Sequence, residues 1–248
     1  AVGALTPLTS VTTNAGGMLV IGTSTVTTTG SQTFNEVVSL FGSTTLSGSV
    51  ITFNDAVVSA GDLVVMGATT LNAGTVSTSG LQNYMSGVTL SRNTVLTAGV
   101  SGLRFGGTVN GAYALTVISS GETTFGGAIG NTSPLATLNT DTGTGGSLLM
   151  NGGSVITTGE QTYGESVVLG NNTTLTSNGS GAISFYGTVN GSKTLSVNTS
   201  GITRFNNAVG LVTPLISLST DAGGSVVLNG GAVRTSGDQN YQDLMVLG

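Results

Sequence analysis

The ten residues QTYGESVVLG, from Gln161 to Gly170, return three more times in the chain with small changes. The other copies are QTFNEVVSLFG from Gln32, QNYMSGVTLS from Gln82 and QNYQDLMVLG from Gln239. The spacing is 79 residues from Gln82 to Gln161 and 78 from Gln161 to Gln239, but only 50 from Gln32 to Gln82. The chain is therefore built from long repeats, 82–160 and 161–238, and a shortened one, 32–81.

A finer unit lies inside each repeat. An aromatic residue followed by a Gly- or Asn-rich pair and then by Val or Ile recurs at intervals that are often near 20 residues. In the wider intervals an aliphatic residue takes the place of the aromatic. The predicted ladder consists of Phe34, Phe53, Tyr84, Phe105, Phe125, Tyr163, Phe185, Phe205 and Tyr241, with Leu71, Met150 and Leu228 as aliphatic members. The shortened repeat lacks one whole unit and part of a loop.

The segments between the turn residues are typical of strands. They are rich in Thr and Val, alternate as in Leu195-Ser-Val197, and are bounded by Gly, Asn and Ser. Strand-type units repeating at this interval indicate an all-β parallel β-solenoid, or β-helix, of either hand. We predict a single solenoid segment over residues 1–248, with about 20 residues per coil and about 12 coils.

Stacking explains the repetition. Equivalent residues in successive coils lie about 4.8 Å apart, so the ladder residues would form one continuous interior column in a rod roughly 60 Å long. An array of β-sandwich domains is the competing architecture. The shortened repeat disfavours it, because a sandwich that lost two or three strands would expose its core.

Composition narrows the function classes. Only 6% of the 248 residues are charged, against about 25% in an ordinary soluble domain, and Thr, Ser and Asn supply the polarity. This surface is typical of an extracellular β protein. The five basic residues are scattered singly, which argues against a nucleic-acid partner. Apolar runs such as Met18–Ile21 last four residues, so no membrane span is predicted.

Three longer stretches of sequence carry a family resemblance: GEQTYGESVVLGNNTTLTS from residue 159, ISFYGTVNGSKTLSVNTSGITRFNNAVG from 183, and PLISLSTDAGGSVVLNGG from 214. They resemble the repeats of very large bacterial surface proteins of the filamentous-haemagglutinin type, and the likeness extends over essentially the whole chain. It implies export across the outer membrane, usually by two-partner secretion, a right-handed β-helical shaft, and roles in adhesion, biofilm matrix or surface fibres. The family's secretion domain and effector domains are not recognisable in the sequence.

Four acids are candidates for catalytic residues. Glu36, Asp55, Glu165 and Asp243 each lie two residues after a motif aromatic, which predicts exposed positions at one corner of different coils. A glycosidase needs two carboxyl groups that oppose each other across a groove. We therefore interpret the four as solvating turn residues and expect no enzyme activity, with a carbohydrate-binding or carbohydrate-cleaving β-helix as the alternative.

Two further acids are weak calcium candidates. Asp141 in NTDTGTGG and Asp221 in STDAGG occupy equivalent loops, but Asn14 takes the corresponding place near the start. The Gly-Gly-x-Gly-x-Asp calcium repeat is missing. Turn formation by Asp or Asn beside Gly explains these loops equally well, and no cofactor is predicted.

Threonine runs such as 25–29 and 173–176 raise a lesser alternative, ice binding by a Thr array on one solenoid face. Such an array needs Thr-x-Thr at one position in nearly every coil. The positions after the aromatic corners do not supply it consistently, and the strand propensity of Thr explains the runs.

The leading hypothesis is a non-catalytic structural shaft of a secreted or cell-surface bacterial protein, either an adhesin shaft or an extracellular fibre. Its expected partners are copies of itself or flanking repeats, which would pair with the open coil ends, and glycans or proteins of a host or matrix surface. We expect the segment to belong to a longer chain or fibre.

Overall fold

A computed structural model describes residues 1–140 and 145–248, and every regular element in them is a strand. The strands are β1 Val11–Thr12, β2 Met18–Ile21, β3 Thr25–Thr27, β4 Gln32–Phe34, β5 Val37–Leu40, β6 Thr44–Ser47, β7 Val50–Phe53, β8 Val57–Ser59, β9 Leu63–Val65, β10 Ala68–Leu71, β11 Thr75–Thr78, β12 Gln82–Tyr84, β13 Val88–Leu90, β14 Thr94–Ala98, β15 Leu103–Phe105, β16 Val109–Asn110, β17 Leu115–Ser119, β18 Glu122–Phe125, β19 Leu138–Thr140, β20 Ser147–Met150, β21 Ser154–Thr157, β22 Gln161–Tyr163, β23 Ser166–Leu169, β24 Thr173–Ser177, β25 Ile183–Phe185, β26 Val189–Asn190, β27 Thr194–Thr199, β28 Ile202–Phe205, β29 Ser217–Thr220, β30 Ser225–Leu228, β31 Gln239–Tyr241 and β32 Leu244–Leu247.

The strands form three parallel faces. Face A is the nine-stranded sheet from β3 to β26, and face C is the twelve-stranded sheet from β2 to β32. Face B consists of the six-stranded sheet from β1 to β16 and the five-stranded sheet from β21 to β31. Single bridges at Ile129 join these two sheets, and bridges at Val2, Val209 and Val233 extend face A.

The chain visits the faces in the order A, B, C and then returns to A in the next coil. Each strand pairs in parallel with the strand one coil away, as β12 does with β9 and β15. The twelve strands of face C correspond to twelve coils. The predicted parallel β-solenoid, its coil length and its number of coils are confirmed.

The alternation of side chains places one residue in two inside. In β14, for example, Thr94, Leu96 and Ala98 are buried while Val95 and Thr97 are half-exposed. Buried residues from every face meet in one hydrophobic core that runs along the axis from Ile21 to Val226. Since a single coil cannot enclose such a core, stability comes from contact between neighbouring coils.

The longest coils contain the Ala-Ile/Val-Gly loops. Gly130 and Gly210 occupy equivalent places in these loops, with φ of 72° and 69°. A Cβ atom at either position would collide with a carbonyl oxygen of the next coil, that of Ile156 or that of Arg234. Glycine is required here both by the left-handed backbone conformation and by the close approach.

The repeats do not contain a whole number of coils. Counting strands and single bridges, eleven steps lead from β12 to β22 and eleven more from β22 to β31, but only eight from β4 to β12. Three steps make one coil, so the shortened repeat lacks one coil. Eleven and eight are each one step short of full turns, and every new repeat therefore begins one face earlier than the last.

Candidate functional site: interior ladders and glutamine clamps

The predicted ladder residues lie inside the solenoid, but they form separate columns on different faces. On face B, Phe34 is followed by Phe53, Leu71 and Leu90. On face A, Tyr84 is followed by Phe105, Phe125, Met150 and Leu169. On face C, Tyr163 is followed by Phe185, Phe205, Leu228 and Leu247. Tyr241 lies on face B beside Thr220, and it and Leu228 are only partly buried.

The expectation of one continuous column was therefore wrong. Its physical reason is the step of one face per repeat, which moves each new Gln-x-aromatic start to the preceding face. Ring stacking follows the columns: the centroids of Phe34 and Phe53 lie 5.5 Å apart, and those of Tyr163 and Phe185 lie 5.0 Å apart. Within the described residues no ring stacks from one column to the next.

The ten-residue phrase that begins at Gln32, Gln82, Gln161 and Gln239 joins two columns. Its aromatic, such as Tyr84, starts a new column, while its leucine six residues later, Leu90, lies on the next face and closes the column before it. Tyr163 and Leu169 have the same relation. The phrase recurs because each copy ends one stack and begins another within a single coil.

The glutamine of the phrase is a buried clamp, a role that the sequence analysis missed. Gln161 is fully buried, and its Nε2 donates to the carbonyl oxygens of Val155 at 3.4 Å and Thr176 at 2.9 Å. These acceptors belong to successive coils of the preceding face, so one amide group ties two coils together. Gln82 makes the same pair of bonds to Val76 at 3.0 Å and Thr97 at 2.6 Å.

The clamp also accepts a hydrogen bond when the ladder begins with tyrosine. The Tyr163 hydroxyl donates to Oε1 of Gln161 at 2.8 Å, and the Tyr84 hydroxyl donates to Oε1 of Gln82 at 3.2 Å. Where the aromatic is Phe34, Oε1 of Gln32 is buried without a partner. An unpaired buried acceptor costs about 1–3 kcal/mol, so the first clamp is weaker than the others.

Burial controls the tyrosine hydroxyls. Desolvation raises the pKa of Tyr84 and the pKa of Tyr163 well above the usual value near 10, and the nearby Glu165 carboxylate adds to the rise at Tyr163. Both hydroxyls stay protonated and remain donors to their glutamines. Both hydroxyls lie in the core, where they stabilise the glutamines.

The acids after the aromatics do not occupy one exposed corner. Only Asp55 is exposed, whereas Glu36, Glu165 and Asp243 are 8%, 9% and 9% exposed. Glu36, Asp55 and Asp243 lie at the corner between faces B and C, whereas Glu165 lies at the corner between faces C and A. The prediction of four exposed corner acids was wrong for three of them.

Gly-Gly loops of the preceding coil explain why the carboxyl groups of Glu36, Glu165 and Asp243 are buried. The amide of Gly224 donates to Oδ1 of Asp243 at 2.8 Å. A Cβ on Gly17 would lie 2.7 Å from Oε2 of Glu36, so the carboxylate lies directly against this loop. Glu165 accepts from the Thr140 hydroxyl at 2.9 Å, beside Gly145 and Gly146.

Acid and loop are both missing at one junction between repeats. The shortened repeat, 32–81, has no Gly-Gly loop, and the copy of the ten residues that follows it has Ser86 where the other three copies have the acid. The carboxylate and the loop are therefore present or absent together. We interpret the acid as a cap for loop amides, in keeping with the stabilisation of carboxylates by backbone N–H groups.

The calcium candidates bring no cation site together. Oδ1 of Asp221 accepts from the backbone amide of Thr199, 22 residues earlier in the neighbouring coil, at 2.9 Å. Asp141 lies outside the described residues. In the part of the chain that the structure describes, no three acidic side chains converge on a position where a metal ion would bind.

The ends of the described solenoid are apolar. At the last coil Phe205, Leu228, Tyr241 and Leu247 line an open hollow, and Leu247 is 73% exposed. The first coils have a similar hollow, lined by residues that include Val11, Leu19, Ile21 and Phe34. Over residues 1–140 and 145–248, no helix has the length and apolarity to cross a bilayer.

Comparison of the chain with protein-family models, curated proteins and solved structures found no match.

Proposed function

We propose that this chain is a structural shaft of a secreted or cell-surface bacterial protein, serving in an adhesin or an extracellular fibre, without catalysis of its own. The observation that carries the proposal is that the residues repeated in each ten-residue phrase lie inside the solenoid. The glutamine, the aromatic and the leucine of each phrase all serve to join neighbouring coils, apart from the last copy at the open end. A repeat whose recurring residues are interior has been organised around making a long rod.

The surface supports an extracellular location. Only 6% of the residues are charged, and hydroxyl and amide side chains provide the polarity. The resemblance to filamentous-haemagglutinin-type repeats points to the same setting, with export by a two-partner pathway. Glycans or proteins of a host or matrix surface are the partners that such a shaft would meet.

The coil ends suggest how the shaft is extended. All four side chains of β32 are exposed, including Leu244 and Leu247, and the strand carries unpaired backbone groups along its outer edge. An edge of this kind pairs readily with another strand. We propose that flanking repeats or further copies of the chain continue the sheet from these ends.

Electron microscopy of the native, unprocessed material tests the proposal. We expect rods or filaments one solenoid wide whose contour exceeds the roughly 60 Å of twelve coils stacked about 4.8 Å apart. Regular continuous filaments would indicate end-to-end assembly, and rods of one fixed length would indicate a single long chain.

Gold-labelled antibody against residues 1–248 supplies the location. We expect the label on such rods at the surface of intact cells or in their medium, with lysed cells as the control for antibody access. Label that appears only after lysis, or native particles with no rod axis, would overturn the shaft proposal.

A further inference from the structure

A single row of threonines covers face B in the first five coils. Strand pairing aligns Thr12, Thr33, Thr52, Thr70 and Thr89, and Asn110 follows in the sixth coil. Each of these residues is exposed or half-exposed on the outer side of its strand. The row lies one residue before the ladder positions and not after the aromatic corners.

The fold alone does not explain this regularity. In the same coils, the outward row of face C reads Val20, Ser39, Val58, Ser77 and Thr97. The outward row of face A reads Thr25, Thr45, Val64, Asn83 and Arg104. A general preference of strands for threonine would favour it on all three faces, so the uniform row is a property of face B.

The hydroxyls of the row are available to a ligand. Threonines at the corners use their hydroxyls for hydrogen bonds within the chain. Thr28 donates to the carbonyl oxygen of Gly30 at 2.9 Å, and Thr78 donates to that of Gly80 at 3.0 Å. The hydroxyls of Thr33, Thr52 and Thr70 make no hydrogen bond within the described residues. Because threonine is β-branched, its χ1 angle is restricted, and each hydroxyl is presented with little freedom.

A row of amides runs beside the threonines. Asn54 donates to Oδ1 of Asn35 at 2.6 Å, and Asn72 donates to Oδ1 of Asn54 at 3.3 Å. Arg92 closes this row by donating to the carbonyl oxygen of Asn72 at 3.4 Å. Side-chain ladders of this kind favour flat sheets. The Thr-x-Asn pairs of successive coils therefore form an ordered array of two rows, one of threonines and one of asparagines.

We propose that this Thr-x-Asn array on face B binds ordered water at the surface of ice. Its rows present hydroxyl, methyl and amide groups at the interstrand spacing of about 4.8 Å. The threonines and asparagines of the two rows are uncharged, and the charged neighbours are Asp55 beside Asn54 and Arg92 at the end of the amide row. The aromatic residues of β4 and β7 point inward, so these strands offer no ring for stacking a sugar. A periodic, uncharged array of small polar groups suits a water lattice better than a glycan chain.

Thermal hysteresis of the purified chain is the test. We expect the wild-type chain to hold a gap between melting and freezing points and to shape ice crystals. The double variant Thr52→Lys with Thr70→Lys should lose both effects, since two long cations would hold the lattice away. Thr45→Lys with Thr97→Lys, on faces A and C, is the matched control and should keep them.

A conservative pair separates hydroxyl chemistry from shape. Thr52→Val with Thr70→Val keeps the strand surface and the fold, as checked by thermal unfolding, and should lower the hysteresis. Absence of hysteresis in the wild-type chain, or equal loss in the control pair, would overturn the proposal. So would binding to an insoluble polysaccharide that follows the face B substitutions without any effect on ice. None of these results bears on the shaft, whose test is the native rod.

Discussion

Gln161 with Tyr163 and Gln32 with Phe34 occupy equivalent places in their repeats, yet their hydrogen bonding differs. Both glutamines are fully buried and both join two coils through Nε2. Only Gln161 has a tyrosine hydroxyl for its carbonyl oxygen. The difference teaches that the clamp does two separable things: it ties coils together, and it is itself completed by the first ring of the ladder.

The largest loss of stability is expected when the aromatic column that begins at Tyr163 is interrupted. Phe185 stacks on Tyr163 and is fully buried, so Phe185→Asp would place a carboxylate in the core and cost about 4 kcal/mol or more of unfolding free energy. Phe41 is 71% exposed, and Phe41→Asp should change stability by less than about 0.5 kcal/mol. Chemical denaturation of both variants measures this. Equal, small effects would contradict the interior assignment of Phe185.

The next effect comes from removing the clamp itself. Gln161→Ala removes the hydrogen bonds to the carbonyls of Val155 and Thr176 and leaves the hydroxyl of Tyr163 without its acceptor, at a cost of about 3 kcal/mol. Gln32→Ala removes two hydrogen bonds to carbonyls but affects no tyrosine, so its cost should be smaller by about 1 kcal/mol. Denaturation midpoints at equal m-values compare the two. If Gln32→Ala cost as much as Gln161→Ala, the hydroxyl would not be part of the clamp.

A reciprocal exchange of rings should reverse the difference between the two clamps, and each single exchange should make them alike. Tyr163→Phe orphans Oε1 of Gln161 and should cost about 1–2 kcal/mol, whereas Phe34→Tyr supplies the missing donor at Gln32 and should gain about 0.5–1 kcal/mol. Thermal unfolding of the single and double variants records both signs. A loss of stability in Phe34→Tyr would show that the first clamp has no room for a hydroxyl.

The smallest effect near neutral pH is a dependence on alkaline pH, which develops only as the pH approaches 10. Burial raises the pKa of Tyr84 and the pKa of Tyr163, so both remain neutral in the folded chain while the unfolded chain ionises near pH 10. Their contribution is fully present below that pH and is lost above it, by up to about 1.4 kcal/mol per pH unit for each tyrosine. Unfolding free energies from pH 8 to 11 should fall less steeply in Tyr84→Phe with Tyr163→Phe. An unchanged slope would locate the alkaline sensitivity elsewhere.

The sequence predicted what depends on period and pattern. Alternating strands and the spacing of Phe105 and Phe125 indicated coils of about 20 residues and a parallel solenoid. The division of the ladder among three faces was not predicted, because coils with Gly130-type loops are longer than the others. Residue spacing alone then does not reveal that a long repeat holds eleven steps, counted as strands and single bridges, rather than twelve.

The remaining features depend on contacts between coils. Gln161 reads as a polar strand residue until the carbonyl oxygens of Val155 and Thr176 are seen beside it. Glu36 and Asp243 read as exposed acids, since carboxylates are rarely buried, and their surroundings come from loops 19 residues or more away. The row containing Thr52 and Thr70 appears only once the register of face B is known.

The step of one face per repeat has a mechanical consequence. At any level of the rod the stacked rings stiffen one side, and the next repeat transfers that reinforcement to the neighbouring side. Three long repeats, or eleven coils, would carry it once around the axis over about 50 Å. A shaft built in this way resists bending equally in every direction, as a twisted cable does, although each cross-section taken alone is lopsided.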